Sequence, residues 1–287
     1  WCTSIILAAH QIGFEGILRP VHPSGKIIAG IPSLPSLDQF PGPIDAAFIG
    51  VNRHATLDIV TQLRSLGAGG ATCFASGFSE SAAEDEAGHD LQAQLIVAAG
   101  DMPILGPNCY GFLNALDGCG IWPDQHGCRK VENGAAILTQ SSNIAINLTM
   151  QARGLPIAYV ITCGNQAQTS QTDVGLHLLD DPRVTAIGLH IEGFGDLRGW
   201  EALSLKAQAK NIPPDCHKIW KITAGSGRRP VSYRVIGGRR RRSAGLSRPP
   251  RHSTRQQLTC VSGSAKAGPP IWTSGQQPDR LNLLLGW

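Results

Sequence analysis

Short apolar runs alternate with amphipathic stretches over the first 221 residues, and this alternation restricts the fold more than any other feature of the chain. Runs such as 46–51, 71–75 and 135–140 have the length and apolar content of buried strands. Stretches such as 57–66 and 197–210 have the spacing of helices with one apolar face. Strands that alternate with helices build a parallel sheet covered by helices. The sequence therefore predicts an α/β fold.

A polar, turn-rich stretch at 122–133 separates two sets of these elements. A chain of 287 residues is long enough for two cores. We place the boundary between residues 128 and 129, which gives domains of 1–128 and 129–221. Residues 1–9 are predicted to form a helix with no strand before it, so we expect the first domain to lack its first strand and to be truncated at its amino end.

The tail from 222 to 287 differs from the preceding residues in charge and composition. It contains twelve Lys and Arg residues and one Asp, a net charge of +11, whereas the whole chain carries +4 and the first 221 residues therefore carry −7. Arg, Pro, Ser and Gly dominate it and apolar periodicity disappears, so we expect a disordered basic tail. Its charge favours nonspecific binding to nucleic-acid phosphates, although few aromatic residues are available to stack on bases.

The sequence lacks the usual signs of a membrane, secreted or metal-binding protein. No apolar run approaches the roughly 20 residues that span a bilayer, and no signal-peptide pattern is present at the start. The eight cysteines form no CxxC pair, and the histidines have no metal-ligand spacing. We expect a cytoplasmic protein with reduced cysteines, no metal site and no membrane contact.

Seven segments occur in an order and spacing that carry a family resemblance. They are GFEGILRPVHP, FIGVNRHAT, CFASGFSE, ILGPNCYGF, ILTQSSNIAINLTMQARGLP, YVITCGNQAQT and DDPRVTAIGLHIEGFGD. Together they resemble the ADP-forming acetate–CoA ligases, which are nucleoside-diphosphate-forming acyl-CoA synthetases related to the succinyl-CoA synthetase alpha subunit. The resemblance covers roughly residues 1–221. It implies a Rossmann-like CoA-binding domain followed by a flavodoxin-like succinyl-CoA-synthetase domain.

The resemblance also implies an acid–thiol ligase reaction. In this family acyl-CoA and phosphate give an acyl phosphate, whose phosphoryl group moves to a histidine and then to ADP, and the reaction also runs in reverse. CoA and a small acyl substrate are the ligands implied for this chain. ATP, ADP and Mg are implied only for an ATP-grasp domain or subunit, whose sequence is missing here and which we expect as a partner.

Seven polar residues are implied to surround the reacting phosphate. The catalytic group consists of Glu192, which would orient the phosphorylated histidine, with Asn108 and Cys109 of the GPNC loop. The phosphate-binding group lies at a strand-to-helix junction, where free amides and the helix dipole favour an anion, and consists of Gln140, Ser141, Ser142 and Asn143. The simpler interpretations are a turn for the GPNC loop, a helix cap for the serines and a solvated charge for Glu192.

Ten loop residues of the first domain are implied to line the CoA site. They are Pro20, His22, Lys26, Val51, Asn52, Arg53, Ser76, Gly77, Gly106 and Pro107. Lys26 and Arg53 have the charge to neutralise CoA phosphates, and the alternative for both is an ordinary solvated surface charge.

The phosphoryl-accepting histidine of the family is absent from its expected place. The family motif SHTASLAG is replaced here by VSYRVIGG at 231–238, which contains no histidine. Codons for VSYRVIGG can be chosen so that reading one base later spells SHTASLAG. We therefore interpret 222–287 as out-of-frame translation that begins between about 221 and 231, and we expect the chain to be a catalytically incomplete fragment. The alternatives are a non-enzymatic CoA- or nucleotide-binding module and a nucleic-acid binder acting through the tail.

Overall fold

The computed structural model describes residues 1–81, 87–212 and 282–286, with the side chain of Leu283 as the only one described in the last segment. Predictions that fall on 213–281, including a strand at 218–221 and the segment at 231–238, lie outside the described residues. The rest forms two five-stranded sheets and a two-stranded ribbon. The α/β fold predicted from the alternating pattern is confirmed.

Six helices are present among the described residues. They are α1 (Cys2–Gln11), α2 (Arg53–Ser65), α3 (Ala87–Ala99), α4 (Ser142–Thr149), α5 (Gln171–Leu178) and α6 (Leu197–Ala209). Each buries one face, as Val60 and Leu63 of α2 show, and Leu203 is the buried side chain of α6. None of these helices is long and apolar enough to cross a bilayer.

The first sheet is entirely parallel, with the strand order β1-β12-β4-β5-β6. Its strands are β1 (Ile17–Val21), β4 (Ala46–Ile49), β5 (Ala71–Cys73), β6 (Ile104–Leu105) and β12 (Asn282–Gly286). The ribbon beside it consists of β2 (Ile27–Ile28) and β3 (Ile31–Pro32). All four residues of β4 are buried, which is typical of a central strand covered on both faces.

The second sheet is mixed, with the strand order β11-β9-β10-β7-β8. Its parallel part consists of β9 (Gly134–Thr139), β10 (Ile157–Thr162) and β11 (Val184–His190), and an antiparallel hairpin of β7 (Phe112–Asn114) and β8 (Cys119–Ile121) pairs with β10. The hairpin lies before the predicted domain boundary at 128/129 in the sequence, but it belongs to the second sheet. The domain ranges 1–128 and 129–221 stay a prediction.

The structure differs from the sequence analysis at the end of the chain. Asn282–Gly286 was expected to belong to a disordered tail, but it forms a strand between β1 and β4. The physical reason is that NLLLG is an uncharged, leucine-rich segment at the end of a basic tail. Between β1 and β4 its backbone finds hydrogen-bond partners on both sides.

The core is continuous between the two sheets. One cluster joins Ile5 of α1 and Phe48 of β4 to Leu138 of β9 and Ile161 of β10, all fully buried. The loop after β10 adds polar links to the first domain, since the Gln168 side chain donates to the carbonyl of Gly100 and accepts from the amide of Ile104. The carboxyl ends of β4, β5 and β6 in the first sheet and of β9 and β11 in the second face a shared crevice.

Candidate active site

A cavity of about 740 Å³ lies where the carboxyl ends of the two sheets meet. It is lined by the ends of β4 and β5, the loop after β6, the β9–α4 junction and the loop after β11. The lining residues are Gly50, Val51, Asn52, Arg53, Phe74, Ala75, Ser76, Asn108, Cys109, Tyr110, Gln140, Ser141, Ser142, Asn143 and Glu192. A crevice at this edge is the usual ligand site of an open α/β sheet.

The first-domain wall contains the N-terminus of α2, which is capped by its own chain. The Asn52 side-chain oxygen accepts hydrogen bonds from the amides of His54 at 3.1 Å and Ala55 at 3.0 Å. Arg53 donates to the carbonyl of Gly77 at 2.7 Å. This wall therefore uses its polar groups to hold its own shape.

The loop after β6 carries Asn108 and Cys109 into the cavity. Asn108 has a positive φ of 58°, a conformation that asparagine tolerates better than most residues, and its amide donates to the carbonyl of Ala75 at 2.9 Å. The next turn is fixed by Thr162 of β10, whose hydroxyl accepts from the amides of Tyr110 and Gly111 at 3.1 and 2.9 Å. The loop is thus held from both domains.

The second-domain wall contains the N-terminus of α4, which differs from that of α2. Ser141 occupies the cap position in extended conformation, but its side chain makes no capping bond to the described part of α4. The Ser142 hydroxyl accepts from the amide of Tyr110 at 3.2 Å. Within the described part of the chain, the first turn of α4 therefore lacks a cap from its own N-cap side chain, an arrangement that favours an anion.

Gln140 connects this wall to the loop that carries Glu192. Its amide nitrogen donates to the side chain of Gln171 at 3.1 Å and to the carbonyl of Gly193 at 2.7 Å. Its oxygen accepts from the amides of Glu192 at 2.9 Å and Gly193 at 2.8 Å. Both donors and both lone pairs are engaged within the protein. Gln140 thus holds the loop of Glu192 in place, and its role as a phosphate ligand stays a prediction.

A second buried contact supports the same junction. The ring of His190 lies 3.1 Å from the hydroxyl of Thr139, and that hydroxyl also bonds to the amide and carbonyl of Ser141. The Gln171 side chain donates to the carbonyl of His190 at 2.9 Å. Thr139, Gln140, Gln171 and His190 therefore fix where β9 and β11 end.

Cys109 lines the cavity but is only 1% exposed. Burial raises the pKa of its thiol to about 12, against hydrogen bonds from Thr162 and Gly111 that lower it. Burial also raises the pKa of Cys73 and of Cys163. A neutral thiol is a weak nucleophile, so Cys109 has the properties of a wall residue rather than of a reactive thiolate.

The cavity brings together eleven of the seventeen residues predicted for the site. They are Val51, Asn52, Arg53, Ser76, Asn108, Cys109, Gln140, Ser141, Ser142, Asn143 and Glu192. The other six do not line it, namely Pro20, His22, Lys26, Gly77, Gly106 and Pro107. Lys26 is exposed in the turn beyond β1, and the His22 ring bonds locally to Ser24 at 2.8 Å.

Two aromatic residues of the cavity were missed by the sequence analysis. The rings of Phe74 and Tyr110 lie 5.6 Å apart, and Phe74 also contacts the rings of Phe48 and Trp1. Both occur inside the quoted segments CFASGFSE and ILGPNCYGF, so their place after a strand was a usable signal. Among the described residues no group of three or more His, Cys, Asp or Glu is arranged to hold a metal.

Two family models match the chain in the order of its sheets. Residues 7–115 match the CoA binding domain, and residues 132–213 match the succinyl-CoA ligase like flavodoxin domain. The two matches meet at the cavity, since Asn52 and Cys109 fall in the first, and Ser142 and Glu192 in the second.

Similar proteins carry related names. A trans-feruloyl-CoA synthase from an unknown prokaryotic organism is 27% identical over 208 residues, which are 71% of this chain and 29% of that protein. The alpha subunit of an ADP-forming acetate–CoA ligase II from Pyrococcus furiosus is 26% identical over 216 residues, which are 74% of this chain and 46% of the subunit. The chain thus spans less than half the length of these relatives.

A solved structure has the same fold. The dinucleotide-forming acetyl-coenzyme A synthetase 1 of Ca. Korarchaeum cryptofilum, in its apo form, superposes with a TM-score of 0.62 at 23% identity. The likeness covers 70% of this chain and 44% of that one. The chain therefore contains a CoA-binding domain and a succinyl-CoA ligase-like flavodoxin domain, and its homologues include ADP-forming acetate–CoA ligases.

Proposed function

We propose that this chain forms the CoA- and phosphate-binding part of an acyl-CoA synthetase. The single observation that carries the proposal is the cavity in which the open N-terminus of α4 faces the Asn108–Cys109 loop across the domain junction. A phosphate there would receive backbone amides and the positive end of the helix dipole. The sequence resemblance and the names of the relatives support acyl-CoA as the second ligand.

The chemistry proposed for this site is attack of a phosphate oxygen on the thioester carbonyl of acyl-CoA. A carbon–oxygen bond forms, the carbon–sulfur bond breaks, and the CoA thiolate leaves with the electron pair and takes up a proton. Helix amides lower the cost of holding phosphate beside the thioester. Asn108 has an amide that can donate to the carbonyl oxygen, and Glu192 supplies a carboxylate on the opposite wall.

We further propose that the sequence does not complete the ligase cycle. The cycle requires an imidazole to carry the phosphoryl group, and the segment 231–238 contains none. Transfer to ADP would in addition need an ATP-grasp domain or subunit, for which ATP, ADP and Mg are the expected ligands. The name of the Pyrococcus furiosus relative, a subunit alpha, supports a partner subunit.

Calorimetric titration of the full chain tests the binding part of the proposal. We expect CoA to bind more tightly than NAD, and inorganic phosphate to bind more weakly after Ser141→Asp. A chain that prefers NAD, or whose phosphate affinity does not respond to a charge at the α4 N-terminus, would contradict the proposal. Binding of CoA without any effect of phosphate would instead support a non-enzymatic binding module.

Incubation with radiolabelled phosphate, acetyl-CoA and an ATP-grasp subunit tests the missing step. We expect no acid-labile, base-stable label on the chain, because that stability is the signature of a phosphohistidine. A labelled histidine would disprove the claim of incompleteness. Sequencing the gene across codons 221–231 tests its origin, since one uninterrupted frame in independent reads is incompatible with a frame slip.

The basic tail offers a second, nonspecific activity. Its net charge of +11 favours salt-dependent binding to nucleic-acid phosphates. Filter binding of the full chain to single-stranded RNA over a salt series measures this electrostatic affinity. We expect affinity to fall steeply with salt and to vary little between RNA sequences.

A further inference from the structure

Two aromatic side chains interrupt the mainly polar lining of the candidate active site. Phe74 follows β5, Tyr110 follows the loop of Asn108 and Cys109, and both line the cavity. Nine of the fifteen lining residues carry polar or charged side chains, so an apolar surface here stands out from its surroundings. The two rings lie beside each other, with centroids 5.6 Å apart and planes inclined by 37°, and both are partly buried. We call Phe74 and Tyr110 the aromatic patch.

Each ring of the aromatic patch packs against a fully buried aromatic residue. The ring of Phe48 lies 5.6 Å from that of Phe74, and the ring of Trp122 lies 5.6 Å from that of Tyr110 in an edge-on arrangement at 72°. Phe48 and Trp122 are both 0% exposed. Because close-packed neighbours restrict rotation, the patch is fixed before a ligand arrives. A fixed surface loses little conformational entropy on binding, which favours affinity.

The polar groups of Tyr110 are engaged within the protein. Its hydroxyl bonds to the Asp124 carboxylate, and burial together with this negative charge raises the pKa of Tyr110. The hydroxyl therefore keeps its proton and donates it to Asp124. The amide of Tyr110 donates to the hydroxyls of Ser142 at 3.2 Å and Thr162 at 3.1 Å. What Tyr110 offers a ligand is consequently its ring rather than a hydrogen-bond donor.

The aromatic patch lies where the proposed function, on which this inference rests, requires the acyl group. Attack on a thioester brings the phosphate at the α4 N-terminus next to the thioester carbonyl. Tyr110 contacts that helix through Ser142 and directly follows Cys109 in the cavity lining. The substituent on the carbonyl is therefore within reach of the two rings, whereas the adenine lies at the opposite end of a CoA thioester.

From this arrangement we propose that the aromatic patch binds the acyl group and that the substrates are aromatic acyl-CoA thioesters. A flat ring next to the carbonyl packs offset or edge-on against Phe74 and Tyr110 and removes their exposed faces from water. An acetyl group is too small to cover either ring and leaves apolar surface hydrated. The patch thus favours an aromatic acyl group over acetyl.

Calorimetric titration of the full chain with CoA, acetyl-CoA and benzoyl-CoA tests the proposal in the absence of phosphate. We expect benzoyl-CoA to bind at least about fivefold more tightly than acetyl-CoA, the size of effect that one added aromatic contact gives. Cyclohexanecarbonyl-CoA is the matched control ligand, because its ring has the same number of carbons but no flat face. It is expected to bind at least about twofold more weakly than benzoyl-CoA. Equal or tighter binding of this control overturns the aromatic class.

Phe74→Leu tests the patch itself, because it keeps an apolar side chain and removes the ring. We expect the preference for benzoyl-CoA over acetyl-CoA to fall below about twofold, while the affinity for CoA changes by less than about twofold. The control Phe40→Leu changes a phenylalanine that is also partly buried but lies outside the cavity lining. It is expected to leave the preference unchanged.

The titrations separate a failure of this inference from a failure of the proposed function. If the unmodified chain binds CoA but shows no preference for benzoyl-CoA, the inference is overturned and the proposed function stands, even if Phe74→Leu fails to fold. An equal loss of affinity for all three ligands in Phe74→Leu also overturns it, because the ring would then hold CoA itself. Absence of CoA binding to the unmodified chain overturns the proposed function, and this inference with it.

Discussion

The two walls of the cavity place a helix N-terminus at similar positions but complete it differently. In the first domain, Asn52 caps α2 through two amide bonds, and Arg53 is tied to the carbonyl of Gly77. In the second domain, Ser141 leaves the first turn of α4 uncapped within the described structure. Equivalent strand-to-helix junctions thus present a closed end on one side and an open end on the other.

The supporting contacts differ in the same way. The helix cap of the first-domain wall is local, since the Asn52 side chain reaches only two and three residues along the chain. The second-domain wall is held by contacts between distant elements, because Gln140 joins Gln171 of α5 to the backbone of 192–193. A wall that must leave its helix amides open obtains its rigidity from side chains behind it. These differences support the proposal that the α4 N-terminus binds an anion and that the α2 N-terminus shapes the cavity.

The largest expected effect comes from breaking the contact that joins the two walls. Gly164 follows β10 with a positive φ of 51°, and a Cβ there would lie 2.2 Å from the carbonyl oxygen of Pro107 and 2.6 Å from that of Asn108. Both neighbours are backbone atoms that cannot rotate away. We expect Gly164→Ala to lower the free energy of unfolding by more than about 3 kcal/mol in urea titrations, through conformational strain and steric overlap.

Gly154 provides the matched control for that substitution. It has a positive φ of 73°, but a Cβ would meet no atom within 4 Å. Gly154→Ala is therefore expected to cost only the conformational strain, about 1 kcal/mol. Equal losses for the two variants would show that the approach to Pro107 is not tight.

The next largest effect is expected in the second-domain wall, at Gln140, which lies just before the N-terminus of α4. Gln140→Ala removes the partner of the Glu192 and Gly193 amides, and we expect a loss of about 1–3 kcal/mol in the free energy of unfolding. Calorimetry should also show weaker phosphate binding, although every polar atom of this side chain is engaged within the protein. Gln208→Ala, on the exposed face of α6, is the control and is expected to stay within about 0.5 kcal/mol.

Gln171 distinguishes a positioning role from direct binding. It is fully buried, lies outside the cavity lining and touches Gln140. If Gln140 acts by position, Gln171→Ala will also weaken phosphate binding. Weakening by Gln140→Ala alone would show that Gln140 contacts the ligand.

Local patterns in the sequence accounted for most of the elements. The observed β9 (Gly134–Thr139) and α6 (Leu197–Ala209) lie within a residue of the predicted 135–140 and 197–210. Their signal is periodicity within one segment, which does not depend on the rest of the fold. The resemblance selected the candidate residues, and eleven of them line one cavity because residues that follow parallel strands converge at one edge of a sheet.

Features that depend on distant partners were not predictable. Nothing local in NLLLG indicates pairing with β1 and β4, which lie more than 200 residues earlier in the chain. Gln171 was missed because its role follows from contact with Gln140, 31 residues away. The sequence also shows that Lys26 is charged and lies in a loop, but not that Lys26 stays outside the cavity lining.

Ser141→Asp tests the contrast between the N-termini of α2 and α4, and its effect on stability is expected to be smaller and of opposite sign. In Ser141→Asp the carboxylate can cap α4 and meet its dipole, so we expect the free energy of unfolding to rise by about 0.5–1 kcal/mol. The same carboxylate would occupy the amides and repel an anion, so phosphate affinity should fall at least about tenfold. Asn52→Asp adds an equal charge to the cavity at an already capped helix, and it should change both quantities less. An equal loss of affinity in the two variants would remove the distinction between α2 and α4.

The smallest effect is expected at Cys109, whose thiol lies in the wall between the two helix ends. Because burial raises its pKa to about 12, the thiol stays neutral at physiological pH, and Cys109→Ala should change phosphate affinity less than about threefold. The folded chain keeps this proton while an unfolded thiol loses it near pH 9.0, so stability should fall as the pH rises above 9. Cys109→Ala should remove part of that fall in urea titrations between pH 8 and 10. A large loss of phosphate affinity at neutral pH would instead mean that the sulfur contacts the ligand, and the first-domain wall would then be more than a shaping surface.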